Sequence, residues 1–228
     1  MGREILDKIR GGLIVSCQAL ADEPLHGSYI MSRMAYAAMQ GGAAGIRANS
    51  AEDILAIRKE VNLPVIGIIK AVYGECPVYI TPTMKEVDAL AGCGAVDVIA
   101  TDCTGRERPD GRSLQEFYLE IRGKYPDQLL MADCSCYEEG MYAAELGFDL
   151  IGTTLSGYTE YTKGRELPDF ELMRRLVCDC GKPVIAEGGI WTPDQLKTAM
   201  ETGVLAAVIG TAITRPMNIT RRFVDAIR

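Results

Sequence analysis

Two short apolar segments of this chain end abruptly in glycine, and both have the pattern of a strand that presents backbone N–H groups to a phosphate. One segment runs into Gly188 and Gly189, and the other runs into Gly210 and Thr211. Bare N–H groups at the ends of two neighbouring strands form an anion site. Glu187 is the last residue of the first segment. A carboxylate beside a phosphate site suggests acid–base chemistry on a small phosphorylated molecule.

Lys70 is the second residue whose surroundings could support catalysis. It follows the apolar run 65–69, so its side chain is expected among neighbours that exclude water. Desolvation lowers the pKa of a lysine, and a nearby Arg47 or Arg215 would lower it further, whereas a nearby Glu187 would raise it. The residues leave three roles open: a proton-transfer base, a Schiff-base nucleophile, or a structural ion pair with Glu187.

Polar residues follow most of the other apolar segments as well. If these segments are parallel strands of one barrel, their carboxyl ends meet on one face, where such folds build their active sites. A set this rich in charge is poorly explained by strands that merely end at solvent. The strand ends are predicted at Gln18, Arg47, Lys70, Asp102, Asp133, the segment 153–157, Glu187 and the pair Gly210–Thr211.

An internal repeat indicates how these residues are positioned. A helix end, a glycine, a small residue and an apolar strand follow one another four times, and glycine at such a place closes a helix in the left-handed conformation. These repeats lie at residues 40–46, 91–96, 146–151 and 202–207. Apolar strands of a second kind alternate with them at residues 13–15, 64–69, 129–132 and 183–186.

Eight strands in alternation with helices predict a single-domain (β/α)8 TIM barrel over residues 1–228, with the phosphate site at strands 7 and 8. The spacing from Gln18 to Gly210 is about 27 residues per strand–helix unit, which is normal for this fold. An open doubly wound sheet is the structural alternative, but it does not predict the fourfold repeat. Capping pairs are expected at Ser50/Asp53, Thr83/Glu86, Ser113/Glu116, Ser135/Glu138 and Thr192/Gln195.

Composition restricts the partners and the compartment. The net charge of −7 and the scattered basic residues argue against nucleic acid, and no apolar stretch is long enough for a membrane helix. We therefore expect a cytoplasmic protein. Eight cysteines without a C-x-x-C pair, and a single histidine, His26, favour reduced core thiols over a metal site. We expect no metal and no organic cofactor.

Six segments together resemble the N-acylglucosamine-6-phosphate (N-acetylmannosamine-6-phosphate) 2-epimerases, nearly from end to end. The glycine elements are shared by many phosphate-binding barrels, whereas Cys17-Gln18-Ala19, the run 45–49 and Ile213-Thr214-Arg215-Pro216 are specific in this order. The segments are 15–19, 45–49, 66–70, 132–133, 186–190 and 208–216.

The resemblance implies interconversion of N-acetylmannosamine 6-phosphate and N-acetylglucosamine 6-phosphate in amino-sugar and sialic-acid catabolism. Proton transfer at C2 would fall chiefly to Lys70, with Glu187 as its partner in proton handling or ring opening. Gln18 and Arg47 would bind sugar oxygens and the enolate, Asp133 a hydroxyl or the acetamide N–H, and Arg215 the sugar or the phosphate. Gly188, Gly189, Gly210 and Thr211 would take the phosphate.

Two other classes remain as alternatives: another phosphosugar isomerase on the same fold, and a non-catalytic barrel that senses a phosphorylated ligand. A metal-dependent pentulose-phosphate 3-epimerase is disfavoured by the single histidine, and a sensor would be expected to have lost Lys70 or Glu187. The loops 74–82 and 157–164 are expected to cover the barrel mouth or to contact a second subunit of a homodimer. The loop 106–111 is expected to be solvated, with the alternative that Arg106 and Arg108 add positive potential near the site.

Overall fold

The computed structural model describes residues 2–228 and contains eight parallel strands that close into a barrel in chain order. Each strand pairs with its sequence neighbours, and β8 pairs with β1 to complete the ring. The prediction of a (β/α)8 barrel is therefore confirmed. The strands are β1 Leu13–Cys17, β2 Gly45–Asn49, β3 Val65–Ile68, β4 Val98–Asp102, β5 Leu129–Asp133, β6 Leu150–Gly152, β7 Val184–Glu187 and β8 Ala206–Ile209.

A helix precedes the first strand, and at least one helix follows every strand. Two helices follow β8, and the first of them is a single turn. The helices are α1 Gly2–Ile9, α2 Ser28–Gln40, α3 Ala51–Glu60, α4 Met84–Gly92, α5 Leu114–Lys124, α6 Tyr137–Leu146, α7 Phe170–Asp179, α8 Pro193–Glu201, α9 Thr211–Thr214 and α10 Pro216–Asp225. None of the helices in residues 2–228 has both the length and the apolar character needed to cross a membrane.

Alternation along the strands divides the apolar residues into two cores. Ile46 and Ala48 of β2 face the surrounding helices, whereas Ile66 and Ile68 of β3 face the barrel interior. The interior core extends from Ile9 of α1 to Ile80 and Leu155, which border the cavity at the carboxyl ends of the strands. Apolar side chains thus fill the barrel interior up to the cavity, where the polar groups gather.

The helix caps follow the sequence closely at four of the five predicted sites. Thr83, Ser113 and Thr192 each form a reciprocal capping box, and Ser50 accepts a hydrogen bond from the backbone of Asp53. Each of the four repeats contains one glycine with positive φ, at Gly42, Gly94, Gly147 and Gly203, whereas Gly41 has a φ of −78° and Gly92 is still part of α4. These local signals therefore determine where most helices begin and end.

The Ser135/Glu138 pair was predicted wrongly. Helix α6 begins after Cys136, which makes no side-chain cap. Ser135 is fully buried at the end of β5, and its hydroxyl donates to Glu139 Oε2 at 2.8 Å. The same carboxylate also accepts from the backbone N–H groups of Ser135 and Gly105, so Glu139 and not Glu138 is the partner of Ser135.

All eight cysteines are free thiols, but not all are core residues as expected. Four of them are buried, whereas Cys178 is exposed on α7. The buried ones occupy small spaces between strands and helices, and burial raises the pKa of Cys17 to about 12. A thiol with so high a pKa stays protonated and unreactive near neutral pH.

Candidate active site

A cavity of about 450 Å³ opens at the carboxyl ends of the strands. Of the residues that the sequence assigned a role in catalysis or binding, all except Asp133 border it, and the predicted strand end Asp102 does not. The predicted residues in its lining are Gln18, Arg47, Lys70, Glu187, Gly188, Gly189, Gly210, Thr211 and Arg215. Lining residues that were not singled out from the sequence include Ser16, Tyr79, Trp191 and Asn218.

Arg47 lies at the centre of the charged groups. It is the middle residue of β2 rather than a strand end as predicted, so its side chain rises from within the barrel and is only 1% exposed. Its Nη2 donates to Asp133 Oδ2 at 2.6 Å, and its Nη1 donates to Asp133 Oδ1 at 3.0 Å. The same Nη1 donates to Glu187 Oε2 at 3.0 Å. One guanidinium therefore holds two carboxylates, one of them in a bidentate pair.

Asp133 lies behind Arg47 and does not border the cavity. It is completely buried at the end of β5, and its two oxygens accept from Arg47 and from the hydroxyl of Thr154. Asp102, the corresponding residue of β4, is also completely buried and pairs with Arg106 at 2.6 Å. Some of the strand-end residues predicted from the sequence therefore face the cavity, whereas Asp102 and Asp133 lie behind it and pair with arginines.

Burial and the charges around Glu187 determine its protonation. Desolvation raises the pKa of Glu187 to about 7, because it outweighs the opposing effect of the nearby Arg47, and Asp133 raises the pKa further. The pKa of Arg47 is itself raised, since Asp133 and Glu187 outweigh the effect of its burial. Arg47 is therefore a permanent cation, whereas Glu187 can exchange a proton near neutral pH.

Lys70 lies two residues beyond β3, across the cavity mouth from β7. Its backbone pairs with Ile80, and its N–H donates to Asn49 Oδ1 at 2.8 Å, so its main chain is fixed. Desolvation lowers the pKa of Lys70 to about 8, and Arg215 and Arg47 act in the same direction, as the sequence predicted. Glu187 raises this pKa, but it makes its ion pair with Arg47, not with Lys70.

Two further polar side chains complete this wall of the cavity. Gln18 is buried just after β1, and its Nε2 donates to Ser16 Oγ at 2.8 Å. Arg215, at the start of α10, pairs with Glu23 Oε1 at 3.0 Å. Glu23 was not identified from the sequence, because it belongs to the irregular segment between β1 and α2 and follows no strand directly. Its contact holds Arg215 beside Lys70.

The glycines at the ends of β7 and β8 leave backbone exposed to the cavity. Gly188 and Gly189 have φ of 109° and 72°, conformations that favour glycine. A Cβ atom at Gly189 would collide with the side chain of Leu167. Gly210 immediately precedes the short helix α9, whose first residue is Thr211. These backbone groups therefore border the cavity at the ends of two adjacent strands.

The two long loops contribute aromatic side chains to the cavity. Tyr79 comes from the loop 74–82, and Tyr158 comes from the loop 157–164. Burial, together with Asp102, raises the pKa of the Tyr79 hydroxyl. Thr159 and Thr162 of the second loop are buried, and Tyr161 donates to Glu139. Both loops are therefore built into the cavity wall.

The prediction that the loop 106–111 is solvated holds for Glu107, Asp110 and Gly111, which are exposed, but it is wrong for Arg108. Arg108 is 4% exposed, lies 4.0 Å over the ring of Phe117 and donates to the backbone oxygen of Pro82 at 3.0 Å. It also donates to the backbone oxygen of Asp102. A charged pattern at a loop does not reveal such contacts, because they join parts of the chain that are distant in sequence.

Comparison with known proteins agrees with the fold and identifies the family. The sequence model of the family described as "Putative N-acetylmannosamine-6-phosphate epimerase" matches residues 31–228. Two relatives carry the name "Putative N-acetylmannosamine-6-phosphate 2-epimerase". The one from Caldanaerobacter subterraneus subsp. tengcongensis is 56% identical over 228 residues, which are 100% of this chain and 96% of that protein. The one from Clostridioides difficile is 56% identical over 223 residues, which are 98% of this chain and 99% of that protein.

A solved structure, the N-acetylmannosamine-6-phosphate 2-epimerase from Clostridium perfringens, superimposes with a TM-score of 0.93. It is 52% identical in sequence, and the match covers 97% of this chain and 96% of that one. The resemblance seen at the strand ends extends over the whole barrel. This chain belongs to the N-acetylmannosamine-6-phosphate epimerase family.

Proposed function

We propose that this protein interconverts N-acetylmannosamine 6-phosphate and N-acetylglucosamine 6-phosphate, in amino-sugar and sialic-acid catabolism. The reaction removes the C2 proton of the open-chain sugar and returns a proton to the opposite face. The observation that carries the proposal is that Lys70 and Glu187 border one cavity with pKa values of about 8 and about 7. Two groups that gain and lose protons near neutral pH are what such a reaction needs.

Lys70 is the proposed base at C2. Its lowered pKa leaves a useful fraction of neutral amine at neutral pH, and the fixed backbone at Lys70 and Ile80 holds the side chain in one region of the cavity. The proton at C2 is acidic only because the adjacent aldehyde accepts the electrons as an enolate. Glu187, across the cavity, is the proposed proton-handling partner.

Arg47 is the proposed stabiliser of the enolate. A permanent cation that is already oriented by two carboxylates needs no reorganisation when negative charge develops on the substrate. Asp133 is fully buried behind Arg47, so we propose that it orients the guanidinium rather than binding a sugar hydroxyl directly. Gln18 and Arg215 are proposed to bind sugar oxygens, since both border the same cavity.

We propose that the phosphate binds at Gly188, Gly189, Gly210 and Thr211. These residues border the cavity at the ends of two adjacent strands, and Gly210 leads into a helix. Backbone N–H groups at such positions attract an anion without a lysine or arginine. In a protein with a net charge of −7, local donors of this kind are needed to hold a phosphate.

A homodimer is proposed as the assembled state, and the cytoplasm as the compartment. Helix α10 buries none of its residues; Phe223 in its last turn is 72% exposed, and Ile227 just after the helix is 86% exposed. Asn218 of the same helix borders the cavity, so a second copy packed against α10 would also fix one wall of the site. Sedimentation velocity tests the proposed dimer: a dimer is expected, Phe223→Asp is expected to weaken it, and a monomeric wild-type protein contradicts it.

The eight free thiols agree with a reducing compartment such as the cytoplasm.

The proposed reaction is tested by incubating the protein with N-acetylmannosamine 6-phosphate in deuterated water and following C2 by NMR. The expected result is N-acetylglucosamine 6-phosphate that carries deuterium at C2. Lys70→Met and Glu187→Gln, each of similar size to the residue replaced, are expected to abolish or greatly slow both exchange and epimerisation. If the wild-type protein gives neither exchange nor epimer, the proposal fails. Full activity in Lys70→Met would remove Lys70 from the role of base.

A further inference from the structure

Thr154, just after β6, touches both carboxylates of the site at once. Its Oγ1 lies 2.6 Å from Asp133 Oδ1 and 3.3 Å from Glu187 Oε2. Arg47 Nη1 lies 3.0 Å from each of the same two oxygens. The four atoms Oδ1, Nη1, Oε2 and Oγ1 therefore form a closed ring, which we call the Thr154 ring.

The number of hydrogens in the Thr154 ring depends on the protonation of Glu187. Nη1 of Arg47 has two hydrogens and donates to both carboxylates, whereas the threonine hydroxyl has one hydrogen and can donate to only one. With both carboxylates ionised, three hydrogens serve four contacts. A proton on Glu187 supplies the fourth, because its O–H can donate to Thr154 Oγ1 while Thr154 donates to Asp133.

The distances indicate which contact lacks a hydrogen. Thr154 is closer to Asp133, so its hydroxyl donates there, and the longer contact to Glu187 is the one that an added proton would complete. The charged groups that face Glu187 are Arg47, Asp133 and Lys70. The neighbouring strands β6 and β8 carry no charged side chain.

We propose that Thr154 is a positioning residue that accepts a hydrogen bond from protonated Glu187 while it donates to Asp133, so that Glu187 can gain and lose a proton in place. Only hydrogen bonds change within the ring. The proton itself comes to Glu187 from the substrate or solvent and returns there. We call the accompanying change of hydrogen bonds in the Thr154 ring the relay, and its use in turnover rests on the proposed function. Arg47 keeps its contacts in both states.

The relay makes a prediction that does not depend on activity. In the wild-type protein, the hydroxyl oxygen of Thr154 can accept a hydrogen bond from protonated Glu187. The Thr154→Val variant has no such oxygen, whereas Thr154→Ser keeps one. Loss of one buried hydrogen bond from the protonated form should lower the titration midpoint of Glu187 by about 0.5 to 1 pH unit in Thr154→Val. Thr154→Ser should titrate as wild type does. If Thr154→Val does not fold, Thr154→Ala carries the same expectation.

The measurement is a pH titration of the protonated-carboxyl infrared band, assigned to Glu187 by its loss in Glu187→Gln. A downward shift in the valine variant, with recovery in the serine variant, supports the relay. A hydroxyl that only donated to ionised Glu187 would hold the pKa of that carboxyl down, so its removal would raise the midpoint, and an upward shift or no shift overturns the relay.

Kinetics of the same variants separate the relay from the proposed function. We expect kcat to fall about 10-fold in Thr154→Val with little change in KM, and to recover in Thr154→Ser. If no variant, wild type included, exchanges the C2 proton, the proposed function fails while the infrared shift still tests the ring. A normal kcat in Thr154→Val overturns the catalytic use of the relay.

Discussion

Burial moves the pKa values of Lys70 and Glu187 toward each other, to about 8 and about 7. Desolvation opposes the charged form of each group, and the surrounding arginines add to this effect at Lys70 but offset part of it at Glu187. Proton transfer between groups so matched has a small free-energy change. The same burial has a cost in stability, which can be measured.

Replacing Lys70 by methionine should stabilise the protein below pH 8. The folded-state pKa of about 8 lies below the ordinary value of 10.5, so the folded protein bears the full cost of a desolvated ammonium below pH 8. The cost disappears as the pH rises from 8 to 10.5, because there only the unfolded chain keeps the proton. Urea unfolding of both proteins across this range is the measurement. A gain for Lys70→Met that grows with pH would contradict the stated pKa.

Asp133→Asn should be destabilising because it leaves a buried guanidinium with an incomplete set of partners. Arg47 and Asp133 are 1% and 0% exposed, and removal of one partner of a buried pair costs about 3 to 5 kcal/mol. Chemical denaturation measures this loss. The double variant Arg47→Met/Asp133→Leu should recover much of it and remain inactive, whereas a double variant less stable than Asp133→Asn would show that the pair is not the cause.

At the scale of single elements, close packing on the outer face of β3 holds Lys70 in place. Gly67 faces Val96, which precedes β4, and Ile54 of α3. A Cβ atom at Gly67 would lie 2.8 Å from Val96 Cγ2 and 3.1 Å from Ile54 Cδ1, closer than normal contacts. The glycine therefore lets α3 and the chain before β4 approach the strand.

Gly67→Ala should destabilise the protein by about 1 to 3 kcal/mol, since the added methyl group overpacks this contact. Because Lys70 lies three residues further on, we also expect a lower kcat. Thermal unfolding and the C2 exchange assay measure the two effects. Gly67→Ala/Val96→Ala makes room for the methyl group and should restore both. Failure of the second substitution to help would place the strain elsewhere.

Over the whole molecule, stability and chemistry are separated along the barrel axis. Ile9 of α1 is 1% exposed and belongs to the interior core, with Ile5 and Leu6 packed against it. The charged groups of the site lie at the opposite end, at the carboxyl ends of the strands. In this fold, the amino-terminal end of the barrel generally serves stability and the carboxyl-terminal end carries the active site.

Ile9→Ala should therefore cost about 2 to 5 kcal/mol of stability and leave the activity nearly unchanged. The substitution removes buried methyl groups beside Gly45, the first residue of β2, whereas the cavity lies at the carboxyl ends of the strands. Urea unfolding gives the loss of stability, and kcat/KM below the unfolding transition should stay within about twofold of wild type. Ile9→Val is the matched control, with a smaller loss of about 0.5 to 1.5 kcal/mol. A large fall in kcat/KM for the folded variant would show that the two ends are coupled.

The sequence by itself determined the fold, and nine of the ten site residues that it indicated border the cavity. Eight apolar segments in alternation with capped helices predict the barrel, because strand burial, glycine at helix ends and capping side chains are local properties. The family was also readable from the strand ends, and its model and relatives confirm it. The roles given to Lys70, Glu187 and the glycines remain predictions.

Only the tertiary structure decided which polar residues face the cavity and which support them. Asp133 and Arg47 both look like strand ends in the sequence, yet one is hidden behind the other, and Thr154, Glu23 and Arg108 act through contacts between distant segments. The packing of Ile5, Leu6 and Ile9 of α1 on the interior core is also a contact between segments that are distant in sequence. Local pattern fixes the element to which a residue belongs, but the partners of a buried charge depend on how eight strand ends converge in space.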